Sequence, residues 1–74
     1  MNSYDNPLEF LRKSIGDKVS VRLRNKTELK GRLVAFDEHL NLMIEDATLK
    51  QKEKSQFKTL VYQRGDMILL VGKE

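Results

Sequence analysis

Gly31-Arg32-Leu33-Val34-Ala35-Phe36-Asp37-Glu38-His39-Leu40-Asn41-Leu42-Met43-Ile44-Glu45-Asp46-Ala47 is the stretch whose reading decides the fold. It reads as two strands joined by a tight polar turn, Asp37-Glu38-His39. Before the turn, Leu29, Leu33 and Ala35 fall on one side of a period-two pattern, and Glu28, Lys30 and Arg32 fall on the other. After it, Leu40, Leu42 and Ile44 share a face, and Asn41, Met43 and Glu45 share the opposite one. The turn region thus carries Asp37, His39 and Asn41, three side chains able to make directed polar contacts. A polar cluster on a short loop held by apolar strands is a common mount for a binding site.

The pattern continues on both sides. Lys18 to Arg24 alternates cleanly, with Val19, Val21 and Leu23 on one face and Lys18, Ser20, Arg22 and Arg24 on the other. That is a half-buried antiparallel strand. Asn25-Lys26 is placed as a two-residue hairpin turn, and Thr27 to Phe36 returns as the second strand. Gly31 inside it marks a sharp bend or a close approach of backbones, as small closed sheets need. The third strand runs from Leu40 to Ala47 and toward Lys50. Lys50 to Gln56 reads as a solvated charged hairpin tip. Phe57 to Gln63 is a fourth strand, Arg64-Gly65-Asp66 a turn, and Met67 to Val71 a fifth strand ended by Gly72. Upstream, Met1 to Asn6 is polar and expected to be flexible. Asn6 as a cap and Pro7 as first residue open a short helix over residues 7–16. Leu8, Leu11 and Ile15 recur on it at helical spacing, with Phe10 beside them. The prediction is a mainly β chain, a single domain over 1–74. A short helix precedes a strongly bent five-stranded antiparallel sheet over 18–72, which forms a small open barrel.

The totals constrain what such a domain does. At 74 residues a single core is small and supplies only about 3–5 kcal/mol. With no cysteine and one histidine, disulfides and thiolate metal sites are excluded as staples. Association between copies is the remaining common device. The fifth strand points the same way. Met67-Ile68-Leu69-Leu70-Val71 does not alternate, so both of its faces need cover although it lies near a sheet edge. An open apolar edge is an aggregation hazard, and pairing with the fourth strand of another copy removes it. No apolar run approaches the roughly 20 residues of a membrane span. A soluble, cytoplasmic protein without a membrane partner is expected. Catalysis has little to stand on. There is no Ser or Cys nucleophile in a recognisable context, no Gly-rich phosphate loop and no metal-ligand cluster. No enzyme activity, metal or cofactor is expected. The net charge is +3, modest for one copy, but it multiplies with every copy that associates, toward a total that attracts a polyanion.

Two segments together resemble a known family. Gly31-x-Leu33 followed by Asp37-x-His39-x-Asn41-Leu42 is similar to the first Sm motif of the Sm and Sm-like proteins, the archaeal members above all. Val61-Tyr62-Gln63-Arg64-Gly65-Asp66-Met67-Ile68 is similar to the second, which centres on an Arg-Gly pair between short hydrophobic strands. The motifs stand in the right order around a variable charged segment, and the resemblance covers nearly the whole chain. It implies the Sm fold and a homo-oligomeric ring, commonly of seven, closed by fourth-to-fifth strand pairing. It also implies uridine-rich single-stranded RNA as partner, held around a central pore in RNA processing or turnover alongside other RNA-processing proteins.

Each site residue has a functional reading and a plain one. His39 can stack on a base, which is worth roughly 1–3 kcal/mol and tolerates any base; otherwise it is a solvated loop histidine. Asn41 can offer a donor and an acceptor to a base edge such as O4 and N3–H of uracil; otherwise it bonds its own turn. The family resemblance favours base reading and makes Asp37 an acceptor that orients Asn41 or its loop. Arg64 can stack its guanidinium and offset phosphate charge. Gly65 allows a tight turn, with room for a positive φ, and Asp66 can bond across to the neighbouring loop. The resemblance places one base between His39 and Arg64. Gln63 departs from the family's β-branched residue, and Met67 from its small polar one. Two other readings compete: a ring that serves only as a protein scaffold, and a bacterial Hfq-type hexamer. The Arg64-Gly65 pair, where Hfq carries Lys-His, argues against the hexamer.

Overall fold

A computed structural model of the protein describes residues 7–74. The expected flexible segment 1–6, with the Asn6 cap, lies outside the described residues. Helix α1 spans Pro7–Ser14 and is followed by strands β1 (Lys18–Leu23), β2 (Glu28–Phe36), β3 (Leu42–Gln51), β4 (Lys54–Gln63) and β5 (Ile68–Lys73). All pairings are antiparallel, in the order β4-β3-β2-β1-β5. The sheet bends into the expected small barrel, with β4 and β5 as its edges.

Pro7 suits the first helical turn, where its missing N–H is not needed. Glu9 in the first turn and Arg12 and Lys13 in the last oppose the helix dipole favourably. The helix is two residues shorter than predicted. Ser14 Oγ donates to the Phe10 carbonyl, and Gly16 follows with φ of 88°, the left-handed conformation glycine supplies past a helix end. Ile15 therefore leaves the helical face. Leu11 is buried and Phe10 packs on the core, while Leu8 and Ile15 are exposed.

The core joins Leu11 to Val19, Val21, Leu23, Leu29, Leu33, Leu42, Ile44 and Ala47, all buried. The alternation read in β1 and around Leu42 and Ile44 is the observed burial pattern. Ala35 is a correction. Alternation puts it on the core face, but it is exposed, because the β2–β3 register shifts between Leu33 and Ala35 and the extra residue reverses the alternation.

The predicted bend is a β-bulge. Lys30 pairs with Thr48 and Arg32 with Glu45, so Gly31 alone opposes Asp46 and Ala47. Asp46 has φ of 51°, and Arg32 holds both Glu45, at 2.8 Å, and Asp46, at 3.4 Å. The bulge increases local twist and folds the long β2–β3 pair over the core.

Two turns differ from expectation. The β1–β2 loop has three residues, Arg24 to Lys26, between the bonded pair Leu23 and Thr27, rather than two. Lys26 N–H bonds the Leu23 carbonyl, Leu23 N–H bonds the Thr27 carbonyl, and Lys26 takes φ of 67°, the geometry of three-residue hairpins. The charged Lys50–Gln56 tip is mostly strand: β3 and β4 remain paired to Gln51↔Lys54, leaving Lys52-Glu53 as the turn. Backbone pairing is indifferent to side-chain charge when both faces of a ribbon are wet. Here every residue from Lys50 to Leu60 is exposed, and the hydrophobic pattern that announces a strand is absent.

Candidate nucleic-acid interface

The fold brings the β2–β3 turn against the β4–β5 turn. In the first, Leu40 N–H bonds the Asp37 carbonyl and Asp37 N–H bonds the Asn41 carbonyl, with Leu40 at φ of 65°. The Asp37 carboxylate organises the rest. Its Oδ1 accepts from the backbone N–H groups of His39, at 2.9 Å, and Asn41, at 3.0 Å. Its Oδ2 accepts from Asn41 Nδ2 at 3.0 Å. Asp37 thus accepts from both the Asn41 amide and the backbone of its own loop.

The second turn is a single 3₁₀ turn, Gly65–Met67. Gly65 N–H donates to Asn41 Oδ1 at 2.7 Å, so Asn41 joins the two turns. The expectation of a positive φ at Gly65 is corrected, since positive φ among the glycines is confined to Gly16. Gly65 is needed for close approach instead. A Cβ there would lie 2.5 Å from the His39 carbonyl oxygen and 2.7 Å from that of Leu40. Arg64 pairs with Asp66 in its own turn at 3.1 Å, so the Asp66 carboxylate does not cross to the neighbouring loop. The Asp66 carbonyl does make a cross-loop bond, accepting from Arg24 Nε at 2.9 Å, and Arg24 N–H bonds the Met67 carbonyl. Arg24 is a supporting residue that reading along the chain missed. Only the β1–β5 pairing brings it to a turn 42 positions away. Gln63 is half-buried in register with Leu42.

The side-chain amide of Asn41 cannot turn over. Its nitrogen faces a carboxylate, which only accepts, and its oxygen faces an N–H, which only donates. One Nδ2–H and one Oδ1 lone pair remain for a ligand, in a fixed order. Beside this edge stand two planar cationic or aromatic groups in the open. The side chains of His39 and Arg64 are 76% and 73% exposed.

Bonding to the Asn41 amide, and then to the Asn41 and His39 backbone, holds the Asp37 carboxyl below its ordinary value, against an opposing desolvation effect. A carboxyl depressed by folding contributes fully above its unfolded pKa, and loses that contribution as pH falls through its folded one. The turn is therefore expected to keep its geometry from neutral pH down through the ordinary carboxylate range and to loosen only below it. The Asn41 side-chain NH₂ resonances, followed by NMR during acidification, check this. In Asp37→Ala they should show no such transition and should already be shifted at pH 7.

A helix-topped, sharply bent five-stranded barrel with two hairpin turns meeting over one asparagine is the Sm fold. The chain belongs to the LSM domain family, whose model matches residues 9–73. It is 37% identical over 80 residues to the LSM complex subunit lsm3 of Schizosaccharomyces pombe, covering 89% of this chain and 86% of that one. Among solved structures it matches the Pyrococcus abyssii Sm protein in complex with a uridine heptamer, with a TM-score of 0.87 and 30% identity over 93% of this chain and 99% of that one. It also matches the P. aerophilum SmAP1 heptamer, with a TM-score of 0.83 and 33% identity over 89% of each chain.

Proposed function

We propose that this protein assembles into a homo-oligomeric ring, most simply a heptamer, and binds uridine-rich single-stranded RNA, one base per subunit. The observation that carries the reading is the fixed Asn41 amide. Uracil presents an acceptor, O4, beside a donor, N3–H, which meets a donor beside an acceptor. Cytosine presents the reverse order, an amine beside the bare N3, and an amide free to flip would accept either. Stacking between His39 and Arg64 then supplies base-independent affinity, and Asp37, Gly65 and Asp66 hold the two turns in place.

The sheet edges support the ring. Phe57, Leu60 and Tyr62 on β4 and Leu69 and Leu70 on β5 are between 55% and 66% exposed. An apolar edge at each end of one sheet allows head-to-tail pairing, which a closed ring completes without free edges. The matched P. aerophilum structure is a heptamer, and the matched Pyrococcus structure carries a uridine heptamer. The reading describes a binding protein rather than an enzyme, acting in cytoplasmic RNA processing or turnover with other RNA-processing proteins.

Fluorescence anisotropy with labelled oligo-U, oligo-C and oligo-A, at about 50 and 200 mM salt, tests the reading. Oligo-U should bind more tightly than the other two by roughly 5- to 100-fold, the range for one good bidentate base contact. Asn41→Ala should erase that preference and leave residual, salt-sensitive binding. Equal, weak and salt-labile binding of all three by the unmodified protein would instead favour the ring as a protein scaffold.

A further inference from the structure

We infer that a second RNA-binding surface, a phosphate track, lies in the concavity between the β1–β2 and β3–β4 hairpins and takes the strand as it leaves the nucleotide pocket. The inference rests on the RNA-binding reading above and extends it to a surface that the base-reading residues do not touch.

Pairing places the two hairpin ends side by side, and Gln51 Nε2 donates to the Asn25 carbonyl at 3.0 Å, tying them together. Between them opens a concavity of about 480 Å³. Its walls carry Arg22, Arg24, Lys26, Lys50 and Lys52, against the single carboxylate of Glu28. Glu28, 3.9 Å from Arg22, offsets one of these five positive charges. Lys26, Lys50 and Lys52 form no ion pair among the described residues. Glu53 adds one further acid at the adjacent turn. The surplus of positive charge is local and uncompensated, in a chain whose total is only +3.

Two details separate this surface from an ordinary solvated face. Lys26 and Lys52 both sit in left-handed backbone, with φ of 67° and 56°. Glycine or asparagine fills that conformation at lower cost, and a lysine there is held against a penalty of about 1–2 kcal/mol. The second detail is continuity. Arg24 lines the concavity and also grips the carbonyl of Asp66, in the turn that carries Arg64. The cationic surface begins where the nucleotide pocket ends, and the Asp66 carboxylate at that boundary is already paired with Arg64. Non-directional cations on flexible stems suit phosphates rather than base edges, so the track should be blind to sequence.

The test compares a uridine heptamer with an oligouridylate of about 20 nucleotides, titrated by anisotropy across a salt series. The proteins are the full chain, a Lys26→Gln/Lys50→Gln/Lys52→Gln variant and a charge-matched control, Lys13→Gln/Lys18→Gln/Lys30→Gln. The expected result is confined to the longer RNA and the first variant. Its affinity falls by about tenfold or more, and the slope of log K against log salt becomes shallower by roughly one to two. Heptamer binding and the preference for U over C stay unchanged, as does the far-ultraviolet circular dichroism. Equal loss for the heptamer, equal loss in the control, or no loss for the longer RNA would each overturn the track. Failure of the unmodified protein to bind the heptamer or to prefer U would overturn the underlying RNA-binding reading instead.

Discussion

Gly31→Ala is expected to lower the melting temperature by roughly 10–20 °C, measured by circular dichroism. The added methyl would sit 2.6 Å from Ile44 Cγ2 and 2.8 Å from the Glu45 carbonyl oxygen. Neither yields easily. Ile44 is fully buried in the core, and Glu45 O belongs to the strand paired with Gly31's own. Relief requires the bulge at Asp46 to open, separating the two strands that wrap the barrel. Overpacking of this kind costs about 1–3 kcal/mol, much of what a domain this small has to offer. Gly31→Ser should be as damaging, because the clash comes from Cβ and not from polarity. Asp46→Gly should be mild by comparison: it loses one exposed ion pair to Arg32 but relaxes a backbone already at φ of 51°. Equal melting temperatures for Gly31→Ala and the parent would show that the backbones separate at no cost.

Gly65→Ala is expected to leave the barrel folded and to reduce oligo-U affinity by roughly 10- to 100-fold, with loss of the preference for U over C. A Cβ at Gly65 meets two carbonyl oxygens of the facing turn, so the turns must part. Parting them breaks the 2.7 Å bond from Gly65 N–H to Asn41 Oδ1. That frees the amide to flip and moves Arg64 away from His39. The loss combines about 1 kcal/mol for the bond with part of a stacking interaction of roughly 1–3 kcal/mol. The variant differs from Asn41→Ala in a diagnostic way. Asn41→Ala removes base reading and the same bond but puts no Cβ between the turns, so its residual binding to homopolymers should exceed that of Gly65→Ala.

Much of this was legible along the chain, for identifiable reasons. Strands half in water and half in the core announce themselves by alternation, and Val19, Val21, Leu23, Leu42 and Ile44 were placed correctly on that basis. The polar turn stood out because Asp37, His39 and Asn41 interrupt an apolar run. What alternation could not report was register. Alternation puts Ala35 on the wrong face because a bulge leaves no mark in side-chain chemistry. The pattern shortens the β3–β4 ribbon because its residues face water on both sides. Glycine at position 65 suggests backbone freedom along the chain, whereas its value lies in what stands opposite it, and that depends on a turn some 25 residues earlier. Arg24 was invisible for the same reason. Nothing near position 24 indicates that its guanidinium will hold the carbonyl of residue 66.

The pairing of β1 with β5 also governs when the molecule can become itself. Val21 finds Leu29 within a few residues of synthesis, but its other neighbour is Val71, fifty positions away. At about 5–20 residues per second, a nascent chain spends seconds with one wall of its barrel missing and the inner edge of β1 unsatisfied. The strand that closes the wall is the same one whose outer edge would meet β4 of the next subunit in the proposed ring. A chain that has not yet made β5 lacks this edge, so entry into the proposed ring is a step that only completed barrels pass.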